Sequence, residues 1–134
     1  MKNYIILFTL LYFIMFVYSG VDKIFSYKNK INTLSSKLKD LPSSVINIGM
    51  ISVILLEIFG PIIIISRIIM GNNAPEFLKK LSNIVFILFI LFLIVVTIIY
   101  HPPNDKIIPF LSNCTTLAGL LLLYIISNSE LINN

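Results

Sequence analysis

The residue best placed for chemistry is Glu57, which sits in the stretch VILLEIFGPIIIIS with no other polar side chain between Val53 and Ile65. A carboxyl group in such surroundings can hold a proton, a cation or a hydrogen-bonding ligand. Pro61 follows one helical turn later and carries no N–H, so the backbone carbonyl of Glu57 loses its usual helical donor. Gly60 beside it permits a bend or a close helix approach. Two acceptors therefore converge at one depth, which makes a ligand, proton or ion site. The competing reading is structural: a protonated Glu57 bonded to a neighbouring helix, locking the two together.

Other polar groups can be ranked by their distance from that point along the chain. Asn113, Thr115 and Thr116 open the last apolar run, and Thr116 falls near the depth of Glu57. Thr97, Ser19 and His101 fall in the same half, and Asp22, Lys23 and His101 would mark the mouth of a cavity there. Threonines and serines in apolar helices often bond only their own backbone, so the cluster carries more weight than any single member. The ligand set expected from this is Glu57, Ser19, Lys23, Thr97, His101, Asn113 and Thr116. One histidine and one cysteine make no metal cage, since zinc takes four ligands. Cys114 reads as a small packing residue and Arg67 as a headgroup anchor set apart from Glu57. No nucleophile–histidine pair and no glycine-rich phosphate loop is present, so no catalytic residue is assigned.

These groups must be positioned by something, and composition says what. Of 134 residues, 57% are hydrophobic and 12% charged, against about 45–50% and about 25% in ordinary soluble domains. Mean hydropathy is +0.97. So small a protein has too much surface to face water with so few charges, and the expected solvent is lipid. The net charge of +4 does not point to nucleic acid, because the lysines fall in segments flanking the apolar runs.

Four such runs, at about 4–25, 45–70, 81–100 and 107–127, each approach the 17–25 residues that a hydrocarbon layer about 30 Å thick requires. They lack a two-residue alternation, and only helices satisfy every backbone group within lipid as single segments. The expectation is an all-α, integral, multi-pass membrane protein of one domain: an antiparallel up-down bundle of four transmembrane helices. Glu57, about twelve residues into its span, would lie roughly 18 Å deep. The first run also has features of a secretory signal peptide, with Lys2 before it and Ser19 and Gly20 near its end; its length favours a retained helix.

Between the first two runs, Ile24, Ile31, Leu34, Leu38 and Leu41 recur at near-helical steps with lysines off the stripe. That spacing predicts a short interfacial amphipathic helix, ended by Pro42, with a solvated basic loop as the other reading. GNNAPEFLKK and HPPNDK are the remaining connections, and residues 131–134 are expected to fray. Lysines counted by side, Lys106 among them, are too evenly split to orient the chain.

Three stretches resemble the DoxX family of four-helix membrane proteins. YFIMFVYSGVDKIF is similar to that family's first helix, with Gly20 and Lys23 matching its Gly-x-x-Lys ending. LPSSVINIGMISVILLEIFGPIIII resembles the second helix, with Pro42, Glu57 and Gly60 at the proline, glutamate and small-residue positions. NCTTLAGLLLLY resembles the last, with Asn113, Ala118 and Gly119 matching. The long lysine-rich first connection and the HPPND turn depart from the pattern. The resemblance implies a membrane subunit associated with oxidoreductases, thiosulfate–quinone chemistry or oxidative stress. A quinone-like small molecule would then be the cofactor, and a soluble oxidoreductase or another membrane subunit the partner beside the lipid bilayer. It also gives Gly20, Gly60, Pro61, Pro42 and Gly119 structural places. The alternative expectation is a small proton-coupled four-helix transporter, acting as a homodimer, in which a proton and a cationic substrate compete for Glu57.

Overall fold

The computed structural model of the chain describes residues 2–104 and 107–129. Within them the chain is helical without a strand. The helices are α1 (Lys2–Phe25), α2 (Tyr27–Lys37), α3 (Ser43–Met70), α4 (Glu76–Tyr100) and α5 (Ile107–Ser127), with a single 3-10 turn at Gly71–Asn73. By length and composition, α1, α3 (with the 3-10 turn), α4 and α5 could each cross a membrane. The segment expected to fray, 131–134, and Lys106 of the orientation count lie outside the described residues.

Helix ends follow from where proline can sit. Pro75 (φ −61°, ψ 149°) precedes α4, and its carbonyl accepts the N–H groups of Leu78 at 2.9 Å and Lys79 at 3.2 Å. Because proline's fixed φ suits a helix start, and Glu76 puts a carboxylate at the positive end of the helix dipole, α4 begins before the expected Leu81. Pro42 behaves alike. Its carbonyl receives Val45 at 3.0 Å and Ile46 at 3.2 Å, so it opens α3 and does not close α2. The first connection instead leaves the helix at Leu38, whose φ of −116° and ψ of 58° are non-helical while its N–H still bonds the Leu34 carbonyl. The expected stop at Pro42 is corrected accordingly.

The junction of α1 and α2 is a kink, not a loop. Ser26 departs from helical angles (φ −103°, ψ 21°), yet its N–H bonds the Asp22 carbonyl at 2.9 Å and its own carbonyl accepts Lys30 at 3.0 Å. Farther along, Tyr27 donates to Asn47 Oδ1 at 3.2 Å, which holds the start of α2 on α3.

Packing is organised around α3, which meets α1, α2 and α4, while α4 in turn meets α5. The core joins Phe13 and Phe16 of α1, Ile64 and Ile68 of α3, Val85, Phe86, Phe89 and Leu93 of α4, and Leu120 and Leu123 of α5. Phe89 stands 5.5 Å from Phe13 and 5.0 Å from Phe16, ring centre to ring centre, in the tilted and edge-on geometries that aromatic pairs prefer. Tyr12 spans from α1 to α5, its hydroxyl donating to the Thr116 carbonyl. Large apolar side chains also cover the outside: Phe8, Ile14, Ile98 and Leu122 are all more than half exposed.

Candidate functional site

A glycine sets the register of the site. On Gly20 a Cβ would come 3.1 Å from the Cβ of Glu57 and 2.9 Å from Cγ1 of Ile58, so α1 can lie this close to α3 only with a bare backbone there. Ser19 and Lys23, one turn apart on α1, are thereby aimed at the same carboxylate.

The resulting contacts form a closed set. Lys23 Nζ donates to Glu57 Oε1 at 2.9 Å and Oε2 at 2.7 Å, and also to Ser19 Oγ. The Ser19 hydroxyl donates to Oε1 at 3.2 Å. All three ammonium hydrogens therefore have acceptors. Glu57 is 2% exposed and the Lys23 side chain 18%, which leaves the pair mostly desolvated. A buried charge persists when it is paired and hydrogen-bonded in this way.

Beside the pair opens a cavity of about 660 Å³, within the range of roughly 300–1,000 Å³ typical of small-molecule sites. Ser19, Lys23 and Glu57 line one part of it. Phe16, Met50, Val53, Phe92, Leu93 and Val96 supply apolar wall, and Lys30, Thr33, Leu34 and Leu38 enter from α2 and its end. Tyr100, His101 and Asn113 also line it. Lys37 rests over the Tyr100 ring at 5.1 Å, a cation–π contact that ties α2 to α4.

Of the residues expected from sequence, Ser19, Lys23, Glu57, His101 and Asn113 share this cavity. Thr97 lies on a smaller apolar hollow of about 210 Å³ between α4 and α5, with Asn113 and Cys114. There Thr97 donates to the Leu93 carbonyl at 2.6 Å and accepts Asn113 Nδ2 at 3.1 Å. Thr116 lines neither cavity, because its hydroxyl turns back to the Ser112 carbonyl at 3.0 Å, as Thr115 does to Leu111.

Lys23, less than one turn beyond Gly20, is the ion-pair partner of Glu57. Two further expectations are corrected by packing. Arg67 is 7% exposed and folds back to donate to the Gly71 carbonyl at the end of its own helix, so it does not reach outward as an anchor. Cys114 is exposed at the smaller hollow, not packed.

Sequence reading missed the share taken by α2. The signal was present in the stripe Leu34, Leu38 and Leu41, which faces the cavity. Among the described residues, no group of three His, Cys, Asp or Glu side chains could hold a metal. No protein-family model, no curated protein and no solved structure matches this chain, so the DoxX resemblance rests on its quoted residues alone.

Proposed function

We propose that the chain is a DoxX-like multi-pass membrane protein that binds a small amphiphilic, quinone-like molecule in the cavity beside Glu57, in support of a redox or oxidative-stress system. On this reading α1, α3, α4 and α5 cross the bilayer as an antiparallel up-down bundle, and α2 lies along the interface. The exposed apolar faces of those helices support it, because in water they would form patches far larger than a soluble monomer tolerates.

The observation that carries the reading is one cavity of small-molecule size with apolar walls and a self-neutralised ion pair beside them. Apolar walls suit a ring or chain, and the few polar groups fix orientation. A quinone, when bound, supplies reversible two-electron, two-proton chemistry. The chain's own residues bind it, orient it and keep water away. Electrons would come from a partner, a soluble oxidoreductase or another membrane subunit, which makes this chain a binding component rather than a stand-alone enzyme.

The transporter reading is supported less well. A glutamate that exchanges protons for cations must be open to both, whereas Lys23 already meets both oxygens of Glu57.

The test is purification in mild detergent, mass spectrometry of what is retained, and titration with a short-chain quinone. Retention of a quinone and saturable binding are expected. Both should be lost in Glu57→Gln while the bundle stays folded, because Lys23 and Ser19 are then freed from the carboxylate geometry that shapes that end of the cavity. No quinone binding together with pH-driven cation flux in proteoliposomes would replace this reading with the transporter.

A further inference from the structure

We infer that, besides the neutral quinone, the cavity also takes an anionic single-chain amphiphile, with its head at Lys30 and its tail against the apolar wall. This rests on the reading that the cavity takes an amphiphile, and deepens it by naming the head and its place.

The inventory of donors decides where a head can sit. At the Glu57 end nothing is left to offer, because Lys23 spends its three hydrogens on Glu57 and Ser19, and Ser19 spends its own on Glu57. Asn113 gives one of its two amide hydrogens to Thr97, and the Thr33 hydroxyl donates to the Asn29 carbonyl at 2.9 Å. Tyr100 and His101 add further polar groups to the lining. Lys30 differs. It lines the cavity, and its tie is to Asp22, which does not line it, at 2.8 Å with both side chains more than 40% exposed. Such exposed pairs are weak, so the ammonium can turn to a second anion at small cost.

Charge favours the same answer. Within the lining Lys23 and Glu57 cancel, and Lys30 is balanced only by the exposed Asp22 outside it. Lys28, Lys37 and Lys39 lie in the same segment, so that with Lys30 four lysines stand against Asp22 and Asp40. A positive field over a low-dielectric cavity draws anions. The walls below are apolar, and the volume is that of a small molecule rather than a two-chain phospholipid.

The experiment uses the full chain in zwitterionic nanodiscs, with dodecanoate and dodecanol as probes of one chain length and two heads. Dodecanoate is expected to bind about tenfold more tightly than dodecanol, a gap that Lys30→Gln closes without lowering the unfolding temperature. Gly49→Leu, placed on the cavity wall where a Cβ would meet nothing within 4 Å, should block both probes. Equal binding of the two heads, both blocked by Gly49→Leu, overturns the anionic head and leaves the cavity reading standing. Binding untouched by Gly49→Leu overturns both. Displacement of dodecanoate by phosphatidylglycerol built into the nanodiscs overturns the single-chain assignment.

Discussion

The ring of Phe89 lies directly on the bare backbone of Gly60: a methyl group added there would stand 2.5 Å from Cε2 and 3.0 Å from Cζ. Phe89 cannot give way, being fully buried between the rings of Phe13 and Phe16. Close approach of α3 and α4 therefore depends on this one missing side chain, directly before the proline that already weakens the α3 ladder.

Gly60→Ala is expected to cost about 1–3 kcal/mol through overpacking. Gly49→Ala, facing open space, should instead gain up to about 1 kcal/mol from helix propensity. Thermal unfolding of the two variants in one detergent reads both, and equal effects would count against the packing account.

Lys23→Met strips a nearly buried carboxylate of its partner and should cost about 3–5 kcal/mol, the usual penalty for half of a buried pair. Glu57→Gln keeps an acceptor for Lys23 and Ser19, so its cost should be nearer 1–3 kcal/mol. The double variant Lys23→Met with Glu57→Met should recover most of the loss. A double-mutant cycle gives the coupling directly, and simple additivity would mean that the two side chains do not interact.

Asn113 and Thr97 supply a hydrogen bond between α4 and α5 at 3.1 Å. Measured bonds of this kind between membrane helices average about 0.6 kcal/mol and reach about 1.7. The cycle of Asn113→Leu and Thr97→Val should fall in that range, with the Glu57 site unaffected.

Tyr12→Phe removes the hydroxyl that joins α1 to the Thr116 carbonyl and should cost about 0.5–1.5 kcal/mol. Gly119→Val should cost more, about 1–3 kcal/mol, because a Cβ there would already stand 2.8 Å from the Tyr12 ring. If the two substitutions proved equal, the ring would not be seated on Gly119.

Hydropathy alone made the four long helices legible, since a run of some twenty apolar residues with few charges admits few other structures. Isolation of Glu57 from other polar side chains in its run likewise announced a buried acid. What could not be read was its partner. Lys23 looks like the end of a span in sequence, and only the contact of Gly20 with Glu57 and Ile58 slides it level with the carboxylate. Thr116 misled for the opposite reason: matching depth says nothing about which way a hydroxyl turns, and its own helix satisfied it first. Pro42 reads both as a stop for the first connection's helix and as the proline ahead of the second span. Because its fixed angle serves a start, only the latter matches the structure. Arg67 is the plainest case of packing against expectation, because its reach is spent on the Gly71 carbonyl instead of on the surroundings.

One consequence lies in the backbone bonds that Ser26 makes on both sides of the kink. Leu34 and Lys23 belong to a single bent lever, with the ceiling of the chamber on one arm and the counter-charge of Glu57 on the other. A guest packed against Leu34 therefore touches the same stretch of chain that carries the ammonium. Cavity wall and counter-charge are thus carried on one stretch of about three helical turns.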